Sequence, residues 1–430
     1  MSTENLYRRL RRGVLGILRY FPRLRFFVRK SYWFLRKAQY KRKYRAFDVD
    51  SKTVFFESYG GRFISCSPLA LCAAMCSDVR FSDWHFVWSV KNIDRGEQIL
   101  DGLFPDNDIK IVKRGSKDYF LACAQSAYWI VNSRMPEWID PETSQVYVQC
   151  WHGTPLKRLG FDLPKNAKAA LNTRDELCWR FKLDAKKWTC LLSPSPYTTE
   201  HLLSAFGATS LPNVHVIEEG YPRNDAIISR KNATDNKESA FHLKQILGIP
   251  HDKKVLLYAP TWRESDYISG SGYVAQNYLN LETIAQVLGD EWIILTRTHY
   301  YVSNTLELSG LESFAFDVSK HNDINELYFI SDVLLTDYSS VAFDYANTLK
   351  PLLFYWPDLE AYKDKLHGFY LDLQKLPGPK CFTMEDVLRE LKNIETWGER
   401  HGVVYKEFHS EFCPLDDGKA SERVISRIFF

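Results

Sequence analysis

From Asp48 onward, short runs of β-branched and aromatic residues alternate with helical segments, and loops of Gly, Pro, Ser or Asn separate the two. That rhythm predicts parallel sheets covered by helices, an α/β fold. In the first half the predicted strands are Thr53 to Ser58, His85 to Ser89, Ile109 to Lys113, Tyr128 to Asn132, Val146 to Cys150 and Thr189 to Ser193. In the second they are Val214 to Glu218, Lys254 to Tyr258, Trp292 to Thr296, Phe314 to Phe316, Val333 to Thr336 and Leu352 to Tyr355. A helix ending near Gly207, within the stretch Leu202 to Pro212, marks the division. The expected units are therefore 48–210 and 211–430, two doubly wound domains facing each other across a cleft.

The first 47 residues follow another pattern. Leu6, Leu10, Val14, Ile17 and Phe21 recur at steps of three or four and line one face of a helix, with Arg8, Arg9, Arg12 and Arg19 on the other side. Pro22 is expected to end or kink that helix. A second basic and aromatic run, Arg23 to Arg45, follows it. Charge sharpens the contrast: residues 1–47 hold 15 Lys/Arg and one acid, giving +14, so the rest carries 41 bases against 52 acids, or −11. A basic amphipathic arm on an acidic body suits the headgroup region of an anionic membrane. Nucleic acid is the competing partner for interleaved cations and aromatics, but the continuous apolar stripe favours lipid. The bland alternative is a helix packed on the body with its charges solvated.

Composition narrows the class. The chain has 430 residues, 45% hydrophobic and 25% charged, which excludes disorder and fibrous repeats. No run of 18 apolar residues predicts a membrane-spanning helix, and the start lacks the features of a secretory signal. Nine scattered cysteines without a CxxC pair fit a reducing compartment and buried thiols. P-loop, HExxH, GxSxG and GxGxxG patterns are absent; Tyr59-Gly60-Gly61-Arg62 supplies only a Gly pair after the first strand.

Unusual polar residues gather just after the strands, where open parallel sheets bind ligands. They include Trp151 to Pro155, Glu219 to Asp225, Ala259 to Arg263, Arg297 to His299 and Thr336 to Ser340. Arg223, Arg263 and Arg297 are natural forks for phosphate oxygens. The turn at Asp337 and Tyr338 into a helix at Ser339 and Ser340 reads as a diphosphate site, although Ser is equally a plain N-cap. Asp344 falls in the first turns of that helix, where a carboxylate near phosphate is unfavourable unless it faces a sugar hydroxyl, so it is assigned to a ribose or another polar group. His152 and His299 follow strands in different halves, so they can face one another; each can move a proton near neutrality.

The blocks Trp151-His152-Gly153-Thr154-Pro155-Leu156-Lys157, Gly220-Tyr221-Pro222-Arg223-Asn224-Asp225, Tyr258-Ala259-Pro260-Thr261-Trp262-Arg263, Arg297-Thr298-His299 and Thr336 to Tyr345 resemble the CDP-glycerol glycerophosphotransferase family of teichoic-acid synthesis. The resemblance runs from about Phe55 to Tyr362. It implies a GT-B fold of two Rossmann-like domains, the second holding the cytidine nucleotide, with no cofactor and no metal requirement. It further implies transfer of glycerol phosphate, or a related polyol phosphate, from CDP-glycerol or another CDP-polyol, with release of CMP. The acceptor would be a hydroxyl of a polyprenyl-diphosphate-linked glycan or a growing teichoic-acid or capsule chain. The enzyme would be peripheral at the cytoplasmic face of the cell membrane, bound to an anionic surface and not to nucleic acid. By motif, His152 is the general base and His299 stabilises phosphate charge. Trp151, Gly153, Thr154, Pro155, Arg223, Thr261, Trp262, Arg297, Thr298, Ser339, Ser340 and Asp344 are substrate-binding. Tyr300 departs from the Pro that many relatives carry there. The motifs do not separate primases from polymerases or glycerol from ribitol donors. A nucleotide-sugar transferase on the same fold is the alternative, and a non-catalytic binding protein the third reading.

Overall fold

The computed structural model describes residues 21–165, 168–169, 172–234, 236–261, 267–268, 272–273, 278–298, 308–360, 362 and 368–430. The predicted helix over Leu6 to Phe21 therefore lies outside the described residues, save for Phe21 itself.

The first sheet contains β1 (Asp50–Glu57), β2 (His85–Val90), β3 (Ile109–Lys113), β4 (Ser126–Val131), β5 (Val146–Gln149), β6 (Cys190–Ser193) and β7 (His215–Glu218). Its order is β3-β2-β1-β4-β5-β6-β7 and every pairing is parallel. The second contains β8 (Lys254–Ala259), β9 (Trp292–Thr296), β10 (Ala315–Asp317), β11 (Val333–Thr336), β12 (Leu352–Tyr355) and β13 (Lys380–Cys381). It is also parallel throughout, in the order β10-β9-β8-β11-β12-β13. Each sheet thus reverses its winding once, between β1 and β4 and between β8 and β11. Strands β6, β9, β11 and β12 are buried at every position, because helices cover both faces; that is why they read as unbroken apolar runs.

Two allocations made from sequence are corrected. The strand expected to open the second half, Val214 to Glu218, is instead the edge of the first sheet, where β7 pairs with β6. The C-terminal helix, Ala420–Phe429, does not stay with the second domain either. Its Val424 and Ile425 are buried among Leu71, Phe81 and Trp88 of the first, and Phe429 packs on Phe81, Trp84 and Tyr128. The chain therefore passes between the domains twice, at 219–225 and at 413–420. The two passages touch. Tyr221 N–H donates to Asp416 Oδ1 at 2.9 Å, and Ala420 N–H to Asp225 Oδ1 at 2.9 Å. Gly220 sits at φ +90°, where a Cβ would meet the Leu415 carbonyl oxygen at 2.6 Å, so no side chain fits there.

Helix α1 (Pro22–Tyr44) begins with Pro22 in the first turn, where its missing N–H costs nothing. One side docks on the first domain. Phe26 and Trp33 meet Trp179 edge-on at 5.6 and 5.9 Å, and Tyr40 and Tyr44 are buried against Phe120. Its bases meet the acids of the body: Arg25 Nε donates to Glu176 Oε1 at 3.0 Å, Lys37 pairs with Asp140, and Arg45 pairs with Glu142 at 2.9 Å. Glu176 is doubly engaged, since it also closes the capping box with Thr173 at the start of α2 (Arg174–Ala185). The outer side keeps Leu24, Phe27, Val28, Phe34 and Leu35 in solvent, Phe27 being 68% exposed. Among the described residues no helix is long and apolar enough to cross a membrane.

Candidate active site

The carboxyl ends of both sheets open onto one cavity of about 810 Å³ between the domains. Its walls come from the loops at the two winding reversals, where open sheets bind ligands. A polar residue after the fourth strand in winding order ties each reversal together. In the first sheet Asn132 Oδ1 accepts from Tyr59 N–H at 2.7 Å; in the second Asp337 Oδ1 accepts from Thr261 N–H at 2.8 Å.

The loop after β5 bends sharply. Trp151 takes φ +49°, its N–H donates to Gln149 Oε1 at 3.0 Å, and its ring is buried edge-on against Phe206. Tyr59 (φ +49°) and Cys66 (φ +65°) share this left-handed conformation and line the same cavity. Such backbone costs roughly 1–3 kcal/mol per residue and collects at working sites. Beside them His152 Nδ1 lies 2.6 Å from the Asn132 carbonyl oxygen. A carbonyl only accepts, so Nδ1 carries the proton and the neutral ring keeps its lone pair on Nε2. Burial lowers the imidazole pKa to about 4, with Arg223 and Arg134 opposing its charge and the Asn132 bond favouring it. At neutral pH His152 is a neutral imidazole with its one ring proton on Nδ1.

Arg223 and Asp344 occupy the opposite wall and are bound to each other. The guanidinium Nε and Nη2 reach Asp344 Oδ1 at 3.1 and 2.8 Å, and it lies 3.9 Å over the Tyr221 ring. Burial pulls the Arg223 pKa down, but Asp344, Cys66, Tyr221 and Tyr59 more than offset it and hold the value well above normal. Asn224 Nδ2 bridges the same Asp344 oxygen (3.3 Å) to Asp416 Oδ2 (2.6 Å). Asp344 Oδ2 has no hydrogen bond among the described residues.

Arg297 Nη1 is satisfied by the Val318 and His321 carbonyls at 3.2 and 3.0 Å. It makes no carboxylate pair among the described residues, and burial lowers its pKa. Thr298 is held by Ser319, its N–H donating to Ser319 Oγ at 2.9 Å. Ser340 projects across to the His152 loop, and a Cβ on Gly153 would meet its Oγ at 2.6 Å. The glycine lets the two domains touch.

Of the residues singled out from sequence, Trp151, His152, Arg223, Arg297, Thr298, Ser340 and Asp344 line this cavity together. Gly153, Thr154 and Pro155 lie behind it; Thr154 is buried and the Pro155 carbonyl accepts from Tyr197 Oη at 3.0 Å. Thr261 and Ser339 support the second reversal, the latter through Val341 N–H to Ser339 Oγ at 3.4 Å. The helix after Ser340 is short, Val341–Tyr345. Trp262, Arg263 and His299 fall outside the described residues. Sequence reading passed over Tyr59, Arg134 and Arg180, although the same rule about strand ends covers Arg134, three residues beyond β4. Among the described residues no three His, Cys, Asp or Glu gather as a metal site.

The family profile of CDP-Glycerol:Poly(glycerophosphate) glycerophosphotransferase matches residues 38–430. The chain belongs to this family. The teichoic acid poly(glycerol phosphate) polymerase of Bacillus subtilis is 39% identical over 382 residues, 89% of this chain and 49% of its own length. That of Bacillus spizizenii is 38% identical over 380 residues, 88% of this chain and 92% of its own. The chain spans about half the length of the Bacillus subtilis and Staphylococcus epidermidis relatives it matches. Among solved structures, the wall teichoic acid polymerase TagF soaked with CDPG superposes with a TM-score of 0.81 at 33% identity, covering 96% of this chain and 97% of that one. The fold of this glycerophosphotransferase-family chain is accordingly GT-B-like, as the sequence implied.

In an NMR titration of labelled histidines, His152 is expected to stay neutral from pH 7 to about 5 and to protonate near its depressed pKa of about 4; a midpoint at the ordinary 6.5 would contradict the buried-base assignment. Asp344→Ala strands a buried guanidinium and is expected to cost about 3–5 kcal/mol, read as a lower denaturation midpoint. Asp344→Asn, which keeps an acceptor, should cost less, and an unchanged midpoint in the alanine variant would show that the pair does not hold the domain wall.

Proposed function

We propose that the chain transfers glycerol phosphate, or a related polyol phosphate, from a CDP-alcohol to an acceptor hydroxyl and releases CMP. The observation that carries this reading is His152: its Nδ1 proton is fixed on a backbone carbonyl, and its Nε2 is left with a free lone pair at a cavity lined by arginines. The acceptor hydroxyl gives its proton to Nε2 as its oxygen attacks the phosphorus that bears the glycerol. The new O–P bond forms as the anhydride P–O bond breaks, and the electron pair leaves with CMP. Phosphoryl transfer needs in-line positioning and charge neutralisation more than covalent help. Arg297, with only carbonyl partners among the described residues, is assigned to the diphosphate. The remaining carboxylate oxygen of Asp344 takes a ribose or alcohol hydroxyl. His299 is proposed as the second charge-stabilising imidazole.

The acceptor is proposed to be a polyol-phosphate chain or polyprenyl-linked glycan at the cytoplasmic membrane face. The outer side of α1 supports this. Leu24, Phe27, Val28 and Leu35 share one stripe at helical spacing, flanked by the basic cluster Lys41, Arg42 and Lys43 near its end. A helix of 23 residues, about 35 Å long, can lie in the headgroup plane with that stripe down.

With CDP-glycerol and a lipid-linked acceptor, wild-type protein should release CMP and His152→Ala should do so at least about a hundredfold more slowly, the usual worth of a positioned base. Wild-type silence on CDP-alcohols with turnover of a UDP-sugar would transfer the assignment to sugar transfer. For the arm, flotation with phosphatidylglycerol vesicles should recover the wild type and lose a Phe27→Glu/Leu35→Glu variant. Equal flotation of both would remove α1 from the membrane contact.

A further inference from the structure

The order of the first sheet places a row of basic residues beside the proposed base. Reading along its carboxyl edge in the sequence β3-β2-β1-β4-β5, the loops carry Arg114, Lys91, Arg62, Arg134 and finally His152. One cation follows each strand until the imidazole is reached, and all five residues line the same cavity.

These cations are packed closely. The Arg114 guanidinium carbon and Arg62 Nη1 lie 3.6 and 3.7 Å from where a Cβ on Gly60 would stand, and the charges of both act on the Lys91 ammonium. Carboxylates compensate them only in part. Glu57 pairs with Arg114 at 3.0 Å, and Glu137, which lies near Arg134, is taken by Arg180. Among the described residues Lys91 and Arg134 have no ion-pair partner. Arg134 stands over the Phe181 ring at 4.6 Å instead. Like charges held together this way are costly unless an anion joins them. Burial, then Arg62 and Arg114, lower the Lys91 pKa, as that crowding requires.

The row belongs to the first domain, whereas Arg223, Arg297, Thr298 and Ser340 form the facing wall. A single nucleotide diphosphate at that wall leaves the row without an occupant. From Arg114 to His152, four strand intervals of about 4.8 Å make a path about 19 Å long. A glycerol phosphate repeat has six backbone bonds and spans about 7 Å when extended, so roughly three repeats match its length.

We propose that this row binds consecutive phosphodiesters of an acceptor that already carries several polyol phosphate units, and so delivers its terminal hydroxyl to His152. This deepens the transferase reading and rests on it for the reaction, but the binding it describes can be measured without turnover. The site would make the chain an extender of polymers, because an acceptor with one phosphate fills one place in the row.

The test uses the full chain and end-labelled synthetic glycerol phosphate oligomers of one and four units, with binding followed by fluorescence anisotropy at low and high salt. The four-unit oligomer should bind about tenfold more tightly than the single unit, with affinity falling as salt rises. The Arg62→Gln/Lys91→Gln variant should lose that tenfold advantage, while its affinity for CDP-glycerol stays within about twofold of wild type. Arg62→Lys/Lys91→Arg should restore it, which a folding defect would not allow. Four-unit binding equal to wild type in the glutamine variant would overturn the proposal, as would a parallel loss for the four-unit oligomer, the single unit and CDP-glycerol. Absence of CMP release by the wild type, with the length dependence intact, would instead defeat the transferase reading alone.

Discussion

The buried pair between Arg223 and Asp344 governs the rest of the cleft. Two charges kept from water are stable only when their remaining groups find partners. Here those partners span the molecule: the Arg223 carbonyl accepts from Asn325 Nδ2 at 2.6 Å, Asn224 links Asp344 to Asp416, and Asn347 Nδ2 reaches the same Asp416 oxygen at 2.9 Å. Moving the linker that carries Arg223 would therefore disturb the short helix holding Asp344 and the C-terminal passage holding Asp416. The same guanidinium also acts at a distance on His152, helping to keep that imidazole neutral.

Around this pair, the two domains solve one local problem in the same way. Each sheet reverses its winding beside a side-chain oxygen that captures a backbone N–H from the neighbouring strand end, Asn132 in one and Asp337 in the other. The capture pins loops that would otherwise be loose. In the first domain it also presents the Asn132 carbonyl to His152, so one residue both closes the reversal and selects the tautomer. Asp337 likewise does more than close its reversal: its Oδ2 accepts from Thr261 Oγ1 and its carbonyl accepts from Trp356 Nε1 at 3.2 Å.

Much of this was legible in the sequence. Strands such as β9, β11 and β12 were found to the residue, because burial on both faces leaves a short apolar run with sharp ends. The clustering of polar residues at strand ends likewise pointed to half of the cavity wall. What failed was allocation over long distance. Nothing in Val214 to Glu218 says which of two parallel sheets it joins, since an edge strand has the same local pattern in either. The helix Ala420–Phe429 is amphipathic in any setting, and only three-dimensional packing reveals that its apolar side meets Leu71 and Phe81. That Arg223 and Asp344 also bind each other left no sign in the sequence, because the two lie 121 residues apart. The apolar stripe and charge of the arm favoured a membrane, but its pattern does not show that Phe26 and Trp33 dock on Trp179 or that Arg25, Lys37 and Arg45 meet Glu176, Asp140 and Glu142, as in the packed-helix alternative.

The double passage of the chain between the domains has a mechanical meaning. One covalent strand between two bodies is a tether that permits twist, tilt and slide. Two strands laced side by side, as at Gly220 with Leu415 and Tyr221 with Asp416, resemble the paired leaves of a door hinge. Torsion about the long axis would shear those contacts, whereas rotation about a line through them would not. Any movement of the domains that kept these contacts would turn about a line through them, and the walls already touch where Gly153 meets Ser340.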